Sequence, residues 1–241
     1  GDTWHHFMAM GRTLWDIEHV LITHSHVDHF TFESFALRTG DNAKGIACEK
    51  LKIYTSQGVI DRLWECLRTR GNKKLEKIPA RIEFVPLEYY KTVDVGGYAV
   101  TPLPAEHAGE ELAFLYLIEK DGRTLFYGND TGFFGEDIDN WLVSNGKHIN
   151  MLSLDCTKGD NPYTYKTHMS MEEGSTIAAR FANKGLIDKN TKRYFTHFCH
   201  NSGMVRDELA EVAKEKYGFE ASYGDYGNAG DSFDINDNGE F

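Results

Sequence analysis

The segment His24-Ser25-His26-Val27-Asp28-His29 constrains this chain more than any other stretch of its 241 residues. Four side chains able to ligate a metal fall within six consecutive positions, directly after the β-branched run His19–Thr23, which reads as a buried strand. Burying so many imidazoles and carboxylates together without a cation is costly. The strand end supplies a rigid platform, and the turn after it lets alternate side chains face different sides. His24 and His26 can then reach one ion, and Asp28 and His29 a neighbouring one. Imidazole combined with carboxylate suits zinc, manganese or iron. One short motif cannot fill two sites, so further ligands are expected at later strand ends. His107 follows the run 98–103, Asp130 follows 124–128 and His197 follows 193–196, each a ligand-type residue in that context. Together they make a complete two-metal set.

The rest of the chain alternates short apolar runs with helical patterns. Further strands are expected at Leu51–Thr55, Arg81–Leu87, Tyr98–Leu103, Ala113–Glu119, Thr124–Gly128, Asn150–Leu154 and Arg193–Thr196. Asp121-Gly122 between two of these predicts a hairpin. Helices are expected after Ser56, after the capping box Ser170/Glu173, and from Ser202 to Gly218. Strands and helices interleave, with a hairpin among them, so mixed sheets covered by helices fit an α/β class. No repeat or linker divides residues 1–241, which read as one domain. No apolar run of about eighteen residues is present, so no membrane span is expected. The net charge of −11 speaks against nucleic acid as a partner. Cys48, Cys66, Cys156 and Cys199 are scattered and read as reduced thiols of a cytoplasmic protein. The stretch 223–241 is an atypical tail rich in Gly, Asp and Asn, read as a strand at Ser232–Asn236 and an Asn-Gly turn.

The motif His24–His29 resembles the H-x-H-x-D-H signature of the metallo-β-lactamase superfamily, and the order His107, Asp130, His197 resembles its remaining ligands. The aspartate strand Leu125–Gly132 resembles that of the phosphodiesterase branch. The segments Leu154-Asp155-Cys156, His168–Glu173 and Thr196–His200 resemble those of PhnP-like cyclic phosphodiesterases and, more distantly, of tRNase Z. The resemblance implies a four-layer αββα sandwich with a dinuclear site at one edge. It implies His24, His26 and His107 around a first divalent transition metal, Asp28, His29 and His197 around a second, and Asp130 as the bridge. His168 is implied as a catalytic histidine, and Asp28 as catalytic besides ligating; His200 is left between a supporting place and exchange with His197. The expected reaction is attack by a metal-bridged hydroxide on a small-molecule phosphodiester, cyclic ones included.

Three other readings remain open at this level. One is a thioesterase, lactonase or β-lactamase on the same scaffold, the second a tRNase Z-like endonuclease, the third a non-enzymatic metal-stabilised accessory protein. Relative to the branch, only 23 residues precede His24, which is read as missing or rearranged opening strands. A sheet edge left open in that way would favour a homodimer. Tyr89-Tyr90 and Phe133-Phe134 read as core or lid packing, and Arg68 and Arg70 with Lys73-Lys74 as a solvated helix end.

Overall fold

A computed structural model describes residues 7–14, 17–30, 45–46, 48–69, 77–109, 111–161 and 166–221. The expected tail strand, Arg70, Lys73 and Lys74 lie outside them. A first sheet joins β1 (His19–Leu21), β2 (Leu51–Thr55) and β3 (Ile82–Pro86). A second joins β4 (Val93–Val95), β5 (Tyr98–Pro104), β6 (Phe114–Lys120), β7 (Arg123–Gly128), β8 (Met151–Asp155), β9 (Lys192–Thr196) and β10 (Glu220–Ala221), in that spatial order. The first sheet is parallel throughout its described strands. The second is antiparallel from β4 to β7 and parallel from β7 to β10, so the mixed character lies there.

The helices are α1 (Gln57–Thr69), α2 (Ile78–Arg81), α3 (Asp137–Ser144), α4 (Met171–Asn183) and α5 (Arg206–Tyr217). Three separate apolar clusters show how the layers stack. Val59 and Leu63 of α1 pack with Ile53 and Ile82 of the first sheet. Tyr54 meets Val100, Phe114 and Tyr116 between the sheets. Leu115, Leu117 and Phe126 pack with Leu142, Ile177, Phe181 and Leu209 of α3, α4 and α5. Three interlayer spaces mean four layers, helix–sheet–sheet–helix. Side chains alternate across β6, with Phe114 and Tyr116 on one face and Leu115 and Leu117 on the other. That strand is buried on both faces, which explains its unbroken apolar run.

Local chemistry sets the element ends. The hairpin from β6 to β7 turns on Asp121 (φ 49°) and Gly122 (φ 74°), the left-handed pair a two-residue turn needs. α4 begins with the expected capping box: Ser170 Oγ accepts from Glu173 N, and the Glu173 carboxylate accepts from Ser170 N at 2.8 Å. Gly174 lets α4 press on β9, since a Cβ there would stand 2.6 Å from a ring carbon of Phe195. The last helix departs from expectation. Ser202 belongs to a 3-10 turn, Gly203 after it is left-handed (φ 71°), and α5 starts only at Arg206. Gly218 closes it as expected, with φ 67°. α3, α2, β4 and β10 were not anticipated; each is short.

Phe181 is fully buried against Phe126 and Phe134. Phe181→Ala should lower the unfolding free energy by about 3–5 kcal/mol, read by chemical denaturation.

Candidate metal centre

Strands β5, β7, β8 and β9 run in one direction, so their C-terminal ends share one rim of the second sheet. At or just beyond those ends lie His107, Asp130, Asp155 and His197. The turn after β1 joins them from the first sheet. Phe114 N donates to Thr23 O at 3.0 Å and Tyr116 Oη to Ile22 O at 2.7 Å, which pins the start of His24–His29 to β6. Phe30 N and His29 N both donate to His26 O, folding the motif back on itself.

The imidazoles converge in two groups. His24 Nε2 lies 2.9 Å from His26 Nδ1, which lies 3.0 Å from His107 Nε2. His29 Nε2 lies 3.1 Å from His197 Nε2 and 3.2 Å from Asp28 Oδ2. Asp130 touches both groups: its Oδ2 is 3.1 Å from His24 Nε2 and 2.8 Å from His29 Nε2, and its Oδ1 is 3.3 Å from His107 Nε2. All seven residues expected as ligands are therefore brought together. His200 is not: it is exposed on the 3-10 turn, where Cys199 Sγ stands 3.8 Å from its Nδ1.

Sequence reasoning missed the frame around this cluster. Asp155, fully buried, accepts from Met169 N and Thr157 N on Oδ1 and from Thr131 N on Oδ2. His168 Nδ1 sits 3.1 Å from the same Oδ2 and 3.2 Å from Asp130 Oδ1, so Asp130, Asp155, His168 and His197 form a further convergence. Thr157 Oγ1 lies 2.8 Å from His197 Nδ1, and Thr167 O lies 2.9 Å from His107 Nδ1. With those ring nitrogens occupied, each histidine turns Nε2 inward. Asn129 Oδ1 accepts from Ser153 Oγ and Thr196 Oγ1, strapping three strand ends together. Asp155 is the last residue of β8 and Asp130 follows the end of β7 by two residues, so a carboxylate at a strand end was the available signal for it.

The donor set fits divalent cations. Asp130 Oδ1 is buried without a hydrogen-bond partner, although two ring nitrogens stand beside it at ion-pair distance. The His107 proton belongs on Nδ1 against the Thr167 carbonyl, so Nε2 presents a lone pair. Burial keeps His107 less basic than an ordinary histidine despite that carbonyl and the Asp130 charge. Asp130 is itself held well below the usual carboxylate range: burial opposes this, but hydrogen bonds from His24 and His29 outweigh it. Asp130 (φ 58°) and His197 (φ 61°) both hold left-handed backbone, a strained conformation for residues other than glycine.

The cluster opens into a cavity of about 540 Å³, walled also by Lys158, Thr167, Phe198 and Cys199. Three of the four paired aromatics pack: Tyr89 stands edge-on to Phe114, Tyr90 leans on Trp141, and Phe134 is buried, whereas Phe133 is exposed, with the Arg180 guanidinium 5.4 Å from its ring centre. The four cysteines are free, and among the described residues no helix is long and apolar enough to cross a membrane.

Comparison with known proteins agrees with this geometry. Residues 3–198 match the beta-lactamase superfamily domain, and the chain belongs to that family. A diphosphatase from the PhnP family is similar in structure at 16% identity, with a TM-score of 0.64, covering 92% of this chain and 74% of that one. The metallo-β-lactamase fold protein YhfI from Bacillus subtilis is similar at 18% identity and TM-score 0.59, over 85% and 74%. Human tRNase Z, short form, is similar at 19% identity and TM-score 0.55, over 82% and 78%. At such identities these likenesses concern the fold. No curated protein matches in sequence.

Two outcomes follow from the geometry. A Cβ at Gly132 would overlap the Lys166 carbonyl and come within 3.3 Å of Glu106 O, to which Gly132 N is bonded. Gly132→Ala should therefore displace the Asp130 turn and weaken zinc binding at least tenfold, measured by competition with a chromophoric chelator. In the metal-free protein His29 is more basic than usual: burial opposes this, but the Asp130 hydrogen bond and the Asp130 and Asp28 charges prevail. That proton stabilises the metal-free fold below the unfolded histidine pKa of about 6.5, and the gain is lost as pH rises through the raised folded value. A cation at His29 must displace it. Zinc titrations at about pH 6 and about pH 8 should accordingly show tighter uptake at the higher pH, with proton release.

Proposed function

We propose that this protein is a metal-dependent hydrolase that cleaves small phosphodiesters. The observation carrying this reading is His168, whose Nδ1 is held by Asp155 while its Nε2 has no partner among the described residues. Burial works against protonation of this ring, but the Asp155 hydrogen bond and the Asp155 and Asp130 charges raise its basicity above that of an ordinary histidine. A charged imidazolium beside the cage is suited to an anionic diester and to an alkoxide that must leave with a proton. A thiolate leaving group needs no such donor, so this feature does not favour a thioester.

In this reading His24, His26 and His107 would hold one cation and Asp28, His29 and His197 a second, with the Asp130 carboxylate available to either group. Nitrogen and carboxylate donors suit zinc or manganese, and iron also fits. Divalent cations held there would supply Lewis acidity and lower the pKa of a coordinated water toward about 7. The chain's own part is to orient and to move protons. Asp155 fixes the His168 ring, and Thr157 fixes the His197 ring through a 2.8 Å contact. His168 Nε2 holds the proton destined for the leaving oxygen. Lys158, nearly buried and paired with Glu173 at 2.9 Å, adds a cationic wall against the diester. The likeness to a PhnP-family diphosphatase supports phosphorus chemistry on this fold.

Metal-loaded protein should hydrolyse bis(p-nitrophenyl) phosphate in preference to a lactone and a thioester, and chelation should abolish turnover. A preference for the thioester or lactone would reject the assignment. His168→Ala should lower kcat on the diester by about 10²–10⁴-fold with metal content unchanged by elemental analysis. Asp130→Ala should instead reduce the metal content itself.

A further inference from the structure

One carboxylate outside the ligand set is bonded into the cage. Glu111 Oε1 accepts a hydrogen bond from Ser25 N at 2.5 Å, across 86 positions of sequence. Ser25 stands between His24 and His26 and is only 3% exposed. Glu111 closes the turn that begins directly after His107, where its own N donates to Ala108 O at 3.0 Å. A single bond therefore joins the two segments that carry His24, His26 and His107.

The surroundings show why a side chain makes this bond. Phe114 N donates to Thr23 O, so main chain meets main chain one residue before His24. Two residues further on, Ser25 N finds a carboxylate instead. A buried amide is costly to leave without an acceptor, and an ionised acceptor makes the bond about twice as strong as a neutral one. Gly58, in the first turn of α1, leaves room for the Glu111 stem, since a Cβ there would stand 3.0 Å from Glu111 Cβ. The second group of donors has other supports. His29 N and Phe30 N donate to His26 O, His29 Nε2 meets Asp130, and Thr157 holds the His197 ring.

We propose that Glu111 is a positioning residue for the group of His24, His26 and His107 and not for the group of Asp28, His29 and His197. Its carboxylate fixes the peptide between the first two rings against the turn that carries the third. It thereby sets cation affinity at that group through Ser25, without being a ligand. This rests on the two-group reading of the cage given above, and on no particular substrate.

Two parent proteins separate the groups. His29→Ala/His197→Ala leaves the three-histidine group, and His26→Ala/His107→Ala leaves the other. Cobalt(II) is titrated into each after removal of metal and followed by its visible absorption. Adding Glu111→Ala should weaken cobalt binding at least about tenfold in the first parent, equivalent to about 1.4 kcal/mol, and less than about twofold in the second. Glu111→Gln keeps the length and an acceptor oxygen but loses the charge, and should fall between. Equal weakening in both parents, as a general loss of structure would give, overturns the proposal, and so does no weakening in the first. If Glu111→Ala does not fold, Glu111→Gln in the two parents decides. In metal-free protein Glu111→Gln should also speed amide exchange at Ser25 while leaving that of Phe126, in β7, unchanged; unaltered exchange at Ser25 overturns the proposal. Parents that take up no cobalt reject the cation reading and the proposal with it, whereas parents that bind cobalt regardless of Glu111 reject the proposal alone.

Discussion

The buried carboxylate of Asp130 is the constraint on which the arrangement turns. It is almost fully enclosed, yet stays ionised because imidazoles from two directions hold it so. Satisfying it requires the turn after β1, in one sheet, to meet the ends of β5, β7 and β9, in the other. The cross-sheet bonds from Phe114 and Tyr116 to the β1 segment are what make that meeting a fixed distance. Loosening the sandwich and loosening the cage are therefore the same event.

A division of labour runs across the molecule. The cluster around Phe126, Phe181 and Leu154 is purely apolar and supplies stability through burial. The rim above it is crowded with donors and acceptors that depend on one another, Asp155 above all. That carboxylate accepts two backbone N–H groups on one oxygen and faces His168 and Thr157 with the other. A buried network of this kind rigidifies when complete and becomes a liability when one member is removed.

Most of the scaffold was legible because its signals are local. The Asp121-Gly122 turn, the Ser170/Glu173 box and the two-faced apolar run of β6 each encode their own geometry. Seven ligand-type residues were readable for a related reason: four crowd into the segment after β1, and His107, Asp130 and His197 each follow an apolar run. Features set by contacts distant in sequence were not readable. Thr157 matters only because its hydroxyl meets His197, and Asn129 only because Ser153 and Thr196 stand beside it. The start of α5 was misread because Ser202 has a capping side chain, while the left-handed Gly203 after it stops the turn.

The span of the cage along the chain has a consequence for its biogenesis. His24 and His197, whose rings both lie against Asp130, are separated by most of the polypeptide. During synthesis only the His24–His29 cluster exists as a local cation trap; the other donors arrive as β5, β7 and β9 emerge and pair. A cation shared by all of these donors therefore has to wait until His197 has been made and β9 has paired. The complete donor set is a property of the folded sandwich and of no shorter segment of the chain.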